Sequence, residues 1–254
     1  TIRAVAEMCG SLLVPAALLI KEPHISATAL IVMTCIILIF VGGVNLKQFL
    51  LIGIIGAAGA LLVVSIMSRN YDYIQKRIQS WVDPFADSQG NTWQTCQSLI
   101  AIGSGGLFGL GLGESRQKYL YLPETKNDFV FSIVCEELGL VGALTVVLLF
   151  TLLVIRGFYI AMRAKDKFGM LMAIGLTSHI GLQAFFNIAV VSNLIPNTGI
   201  SLPFFSYGGT ALILQLAEMG IVLNISRVRY QSPQRVPAAE RAPQAEVQLQ
   251  GGNA

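Results

Sequence analysis

The chemically suggestive residues of this chain gather in one stretch, Tyr121-Leu122-Pro123-Glu124-Thr125-Lys126-Asn127-Asp128-Phe129-Val130-Phe131, which runs on to Glu136-Glu137-Leu138-Gly139. Pro123 stiffens the approach, and Asn127 or Asp128 is expected to cap a helix that starts near Phe129. Asp128 then stands where a polar mouth meets the top of an apolar helix. As a cap it would contribute about 1 kcal/mol to that helix. As a carboxylate base it could take a proton from a hydroxyl nucleophile. Glu136 and Glu137 follow about two turns later, unusual inside an apolar run, and pairing with another helix is the common fate of such acids. Further on, His179, Gln183 and Asn187 recur every fourth residue and share one helix face. Such a polar stripe serves either to hydrogen-bond neighbouring helices or to touch substrate directly. The stretch from Ile195 to Gly209 contains Pro196, Pro203 and several glycines, which impose a fixed, non-helical path suited to packing over a cavity. Lys21, Glu22 and His24 could reach the same mouth.

The elements that must hold these residues are membrane helices. Of 254 residues, 54% are hydrophobic and only 12% charged, with mean hydropathy +0.67. That leaves too little polar surface to cover a soluble globule. Apolar stretches of roughly 17 to 25 residues recur, the length an α-helix needs to cross hydrocarbon. Lipid offers no partner for backbone polar groups, so helices are the expected form. The net charge of +3 is modest and gives no support to nucleic-acid binding. Cys9, Cys35, Cys96 and Cys135 show no CxxC spacing, which argues against a metal or disulfide framework. The first residue is Thr and the opening segment lacks the pattern of a signal peptide, so the chain is expected to begin inside a longer protein.

The sequence predicts an all-α, polytopic bundle of about six spans, at 4–20, 27–44, 49–67, 130–155, 168–191 and 210–225. Arg156, Arg163, Lys165 and Lys167, with Lys47, Arg227 and Arg229, fall on one face, which the positive-inside rule makes cytoplasmic together with the C-terminus. Residues 1–229 form the membrane domain in this reading. The tail 230–254 has almost no large apolar residues and is expected to be disordered. An outer loop over about 68–129 is too long for a connector. Its first part, from Tyr71 to Gln89, suits an amphipathic helix at the headgroups. Its second part, from Trp93 to Ile102 followed by a glycine-rich run from Gly103 to Gly113, suits a re-entrant or interfacial half helix. The run has neither the preceding strand nor the spacing of a dinucleotide fingerprint, so close packing is the expected role and phosphate contact by its backbone the alternative.

Tyr121-Leu122-Pro123-Glu124, Asn127-Asp128-Phe129-Val130-Phe131, Glu136-Glu137-Leu138-Gly139 and Leu202-Pro203-Phe204-Phe205-Ser206-Tyr207-Gly208-Gly209, in that order, resemble the SEDS family of shape, elongation, division and sporulation proteins. Gly113-Glu114-Ser115-Arg116-Gln117-Lys118 and Leu223-Asn224-Ile225-Ser226-Arg227 look closer to the FtsW and SpoVE branches than to RodA. The likeness covers about residues 21–227. It implies a fragment of a ten-span fold in the bacterial cytoplasmic membrane, and a peptidoglycan glycosyltransferase that polymerises lipid II on the outer face in cell division or sporulation. The implied partners are a class B penicillin-binding protein, lipid II, undecaprenyl pyrophosphate and other division or sporulation membrane proteins. The family's essential acid, in a Thr-Asp-Phe context, maps onto Asp128, with Asn127 standing where Thr is usual. Because spans that line the same cavity are missing, the fragment alone is expected to be inactive.

The implied reaction sets a sugar 4-hydroxyl against an anomeric carbon while a lipid pyrophosphate leaves. It needs a base at the membrane surface and positive charge for the leaving group. Asp128 is the candidate base. Arg77, Arg116 and Lys118 are candidates for the pyrophosphate, a task that a divalent cation such as Mg or Mn could share. Glu124, Lys126, Glu136, Glu137, Ser206 and Tyr207 are further candidate substrate contacts. A lipid flippase is the main rival, since it too needs a polar cavity and a broken helix. It would place essential charges near the bilayer midplane, whereas the charges noted here concentrate at the outer rim. A scaffold that only recruits a partner enzyme would tolerate replacement of Asp128.

Overall fold

The computed structural model describes residues 10, 25–44, 53, 78–87, 90, 92–119 and 127–227. Apart from Gly10 and Gly53, the expected spans at 4–20 and 49–67 lie outside them, as do the tail from 230 and Lys21, Glu22 and His24. Every element among the described residues is helical: α1 (Ile25–Val41), α2 (Trp93–Ser104), a 3-10 turn (Gln117–Tyr119), α3 (Val130–Met162), α4 (Lys167–Val191) and α5 (Gly209–Arg227). Of these, α3, α4 and α5 are long and apolar enough to cross a membrane, and α1 is a shorter apolar helix. The chain is a multi-pass, all-helical membrane protein.

The helix at α3 runs to Met162, beyond the expected end at Ile155. Arg156 does not stop it, because a long side chain on a helix can carry its charge along the surface while the backbone continues. Within its spanning window 56% of α4 is buried, against 17% for α3 and 11% for α5, so α4 is the most enclosed of the described spanning helices. It packs against α1, α3 and α5. Small residues bring α3 and α4 close: a Cβ on Gly157 would lie 2.3 Å from Thr177 Oγ1, and one on Gly181 2.8 Å from Val154. Phe131, Val146, Phe150, Ile180, Val191 and Leu202 fill the core between them.

At twelve residues α2 is too short to cross hydrocarbon. It is tied down at Ser98, fully buried at 0% exposure. The Ser98 hydroxyl lies 2.7 Å from that of Ser132 on α3 and donates to the Val191 carbonyl at the end of α4 at 2.8 Å. The earlier loop segment, helical at residues 78–82, is pinned to the same end of α4. Trp81 Nε1 donates to the Asn193 carbonyl at 3.2 Å, and Asn193 Nδ2 returns a bond to the Trp81 carbonyl at 3.1 Å.

Gly139, inside the range of α3, has φ 66 and ψ −164, a conformation that breaks it into two helical segments. The glycine-rich run docks into that break. Leu110 and Gly111 N–H groups donate to the carbonyls of Glu136 and Glu137 at 2.9 and 3.0 Å, and Leu140 and Val141 N–H groups donate to Gly106 and Leu107 at 2.9 and 3.2 Å. No side chain fits between the two backbones. A Cβ on Gly105 would lie 2.0 Å from the Cys135 carbonyl oxygen, one on Gly109 2.1 Å from that of Glu137, and one on Gly139 2.4 Å from the Gly109 nitrogen. The run therefore packs closely, and the N–H groups of Leu110 and Gly111 are spent on α3 and cannot cradle a phosphate.

Candidate functional site

Asp128 sits in a turn over residues 127–129 that leads into α3. The expectation that Asn127 or Asp128 caps this helix is corrected: the cap position is Phe129, with φ −108 and ψ 19 and no side-chain cap hydrogen bond. The turn closes instead through the backbone, the Ser132 N–H donating to the Phe129 carbonyl at 3.1 Å. Phe129, only 2% exposed, is locked in the core.

Two side chains from elsewhere hold the turn by consecutive carbonyls. Ser206 Oγ donates to the Asn127 carbonyl at 2.6 Å. Asn187 Nδ2, from a fully buried position on α4, donates to the Asp128 carbonyl at 2.6 Å and to that of Ile200 at 2.7 Å. Both anchors are themselves positioned. Ser206 Oγ accepts the Leu202 N–H at 2.7 Å, and the Phe204 N–H donates to Gln215 Oε1 at 2.9 Å, so the loop between α4 and α5 folds back on itself. Phe204 adopts φ 63, an unusual backbone conformation for a bulky residue that this network maintains. The Asp128 carboxylate lies on the side of Gly199, where a Cβ would come 3.5 Å from Oδ2.

Beside this turn a cleft of about 530 Å³ opens between α3, α5 and the loop joining α4 to α5. Val130, Ile133, Phe204, Phe205 and Leu212 make its apolar walls, and Lys118, Glu137, Ser206 and Tyr207 contribute polar groups. Lys118 Nζ is 3.7 Å from Glu137 Oε1. The structure thus brings four of the candidate substrate residues to one cavity, with Asp128 at its margin and not among its lining. Tyr207 is 81% exposed, so its ring stands at the rim.

Glu136 has a different place. It is 1% exposed and accepts from Ser115 Oγ at 2.5 Å, from the Arg116 N–H at 3.0 Å and from the Gln117 N–H at 3.4 Å. Its expected helix partner is replaced by the start of the 3-10 turn, and in place of substrate it holds the segment that carries Lys118. Arg116 joins through its backbone and is exposed away from the cleft lining. Arg77, Glu124 and Lys126 lie outside the described residues. Among the described residues no three His, Cys, Asp or Glu side chains converge, so they form no cage for a divalent cation.

Each residue of the polar stripe on α4 meets a neighbouring element. Asn187 serves the Asp128 turn, Gln183 Nε2 donates to the Ser201 carbonyl at 3.2 Å, and His179 Nδ1 lies 3.2 Å from Glu218 Oε1 on α5. Glu218 is a residue that sequence reading missed. Its signal was a lone acid in the middle of an apolar run, the costliest place for one. Gln215, one turn earlier, was missed likewise.

A bundle of spanning helices with a broken helix, a docked glycine-rich loop and an acid-bearing turn beside a largely apolar cleft defines a polytopic membrane protein with its polar site at one end. The chain belongs to the FtsW, RodA and SpoVE family, whose model, described as "Cell cycle protein", matches residues 1–231. It is 47% identical over 206 residues to Stage V sporulation protein E of Bacillus subtilis, covering 81% of this chain and 55% of the relative. It is 44% identical over 214 residues to the Probable peptidoglycan glycosyltransferase FtsW of the same organism, covering 82% and 53%. The chain spans about half the length of these curated relatives. Its fold is similar to that of a chain in the structure described as "Structural coordination of polymerization and crosslinking by a peptidoglycan synthase complex", at TM-score 0.68 and 31% identity over 87% of this chain and 61% of that one. It is also similar to the Rod shape determining protein RodA of Thermus thermophilus, at TM-score 0.55 and 28% identity over 87% and 55%.

Proposed function

We propose that this chain forms part of a peptidoglycan glycosyltransferase that polymerises lipid II at the outer face of the bacterial cytoplasmic membrane, with a class B penicillin-binding protein as partner and its C-terminus in the cytoplasm. The observation that carries the reading is the turn at Asp128, an acid mounted at the end of a spanning helix and pinned by Ser206 and Asn187 at the margin of an apolar cleft that also holds Lys118. The relatives' names support the reaction class, and the polymerising synthase complex supports a penicillin-binding partner.

In this reading the apolar walls of the cleft take the first units of a lipid chain. Lys118, steered by Glu137, faces the pyrophosphate, where a fixed cation offsets the charge that grows as the leaving group departs. Asp128 accepts the proton of the attacking sugar hydroxyl. Glu136 acts one step removed, by holding the segment from Ser115 to Gln117 from which Lys118 projects. The test is polymerisation of lipid II by the chain in its full-length form with its penicillin-binding partner, comparing wild type with Asp128→Asn at equal expression and complex formation. An assembled but silent variant is the expected outcome, and normal glycan strands would remove Asp128 from the chemistry.

One observation favours a second reading, transport of the lipid substrate. His179 and Glu218 face each other at mid-helix in α4 and α5, so charge-bearing groups are not confined to the outer rim. Transport assays in sealed vesicles separate the two: Glu218→Gln abolishes movement of lipid across the bilayer under the transport reading and leaves it unchanged under the enzyme reading.

A further inference from the structure

At the end of the bundle opposite Asp128, α3 and α5 enclose a small cleft of about 60 Å³ lined by Arg156, Tyr159, Ile160, Arg163, Ile225 and Ser226. The guanidinium carbon of Arg156 lies 5.0 Å from the centroid of the Tyr159 ring, and that of Arg163 lies 4.2 Å from the same centroid. Seven positions, close to two full turns, separate the two arginines and bring them to one helix face. Each contact with the ring is attractive, yet gathering two cations around it sets like charges against each other. Neither is relieved by the protein among the described residues, where the ion pairs are Lys118 with Glu137 and His179 with Glu218.

Position along the membrane normal narrows what could relieve them. Counting from the break at Gly139, Arg156 lies about 26 Å and Arg163 about 36 Å down the helix at the usual rise per residue. With the break at Gly139 taken as the near boundary, they bracket the far boundary of a hydrocarbon layer roughly 30 Å thick, the level at which lipid phosphates stand. A guanidinium presents a planar fork of donors that matches phosphate oxygens in pairs. Ile160 and Ile225 give the cleft an apolar part beside the two guanidinium groups.

We propose that this cleft binds the phosphate of an anionic phospholipid in the leaflet opposite the candidate site, with Arg156 and Arg163 as its ligands. A zwitterionic lipid brings its own cation and leaves the pair's charge uncompensated. An anionic one neutralises it, and basic pockets between spanning helices hold such headgroups elsewhere. Because the cleft is built from both α3 and α5, the bound lipid ties the far ends of these two helices together.

The test uses the detergent-purified, delipidated full chain, titrated with phosphatidylglycerol, with phosphatidylcholine of the same acyl chains, and with inorganic phosphate, and read by native mass spectrometry and thermal unfolding. Bound phosphatidylglycerol and a raised Tm are expected, with no effect of phosphatidylcholine or inorganic phosphate. Arg156→Gln with Arg163→Gln should weaken phosphatidylglycerol roughly thirtyfold, about one decade and a half for two surface basic groups, whereas Lys165→Gln with Lys167→Gln should retain it. Equal response to both lipids, an equal response to inorganic phosphate, or equal loss in the two paired variants each overturns the proposal. The lipid comparison on unaltered protein decides the matter even if the arginine variant does not fold.

Discussion

Asn187, fully buried on α4, donates to the main-chain carbonyl of Asp128 at 2.6 Å, so the residue proposed as base is anchored through its backbone by a helix that crosses the membrane. The same amide nitrogen also donates to the Ile200 carbonyl at 2.7 Å. One side chain therefore sets the distance between the turn before α3 and the loop after α4.

Asn187→Leu removes both bonds and leaves two carbonyls without their donor in a dry site, a cost of about 2–4 kcal/mol. Thermal unfolding should show a lowered Tm, and glycan synthesis at permissive temperature should fall at least as steeply. An unchanged Tm would mean that water or a neighbour takes over the amide's role.

Gly139→Ala forces a Cβ to within 2.4 Å of the Gly109 nitrogen and 2.6 Å of the Leu107 carbonyl oxygen, at φ 66. The loop or the helix must move, at a cost of more than about 3 kcal/mol, and yield of folded protein in detergent should collapse. Gly106→Ala is the control: its φ is +53 but nothing lies within 4 Å of the new carbon, so only the backbone term of roughly 1–2 kcal/mol applies.

Glu136→Ala strips the acceptor from Ser115 and from the Arg116 and Gln117 N–H groups at once. A loss of about 3 kcal/mol or more is expected from the unpaired donors. Hydrogen exchange at residues 115–118 should accelerate well ahead of exchange in α4. Uniform acceleration across the bundle would show that Glu136 supports the whole core and not this segment.

Burial raises the Cys96 thiol above its ordinary value of 9.0. A neutral thiol is thus favoured by folding, and its contribution to stability is intact below that ordinary value and is lost as pH rises through the raised one. Melting curves between pH 8 and about 10.5 should slope downward, and Cys96→Ala should flatten part of that slope. An identical slope in the variant would assign the alkaline sensitivity to other groups.

Much of the bundle could be read from apolar length alone. The expected span at 168–191 matches α4 to within one residue, and that at 210–225 lies inside α5, because a long, predominantly apolar run has few ways to fold in lipid. The glycine-rich run was legible as close packing. Its destination was not, since Glu136-Glu137-Leu138-Gly139-Leu140 reads locally as helix and only a distant backbone reveals the break. At the site, Asp128 was conspicuous by its setting, but the cap assigned to it belongs to Phe129, whose burial fixes the turn instead. Glu218 escaped notice because its partner, His179, lies 39 positions away on another helix.

The break at Gly139 separates the short helical segment above it, which follows Asp128, from the long segment below, and the glycine-rich loop grips both sides of the junction. A long apolar helix answers changes in bilayer thickness by tilting. Here such tilt meets a splice at Gly139, and the orientation of the upper segment is referenced to the loop and to Asn187. The turn that carries the acid is thus held by contacts outside its own span, and the loop that bridges the break is the path by which tilt of the longer segment would reach it.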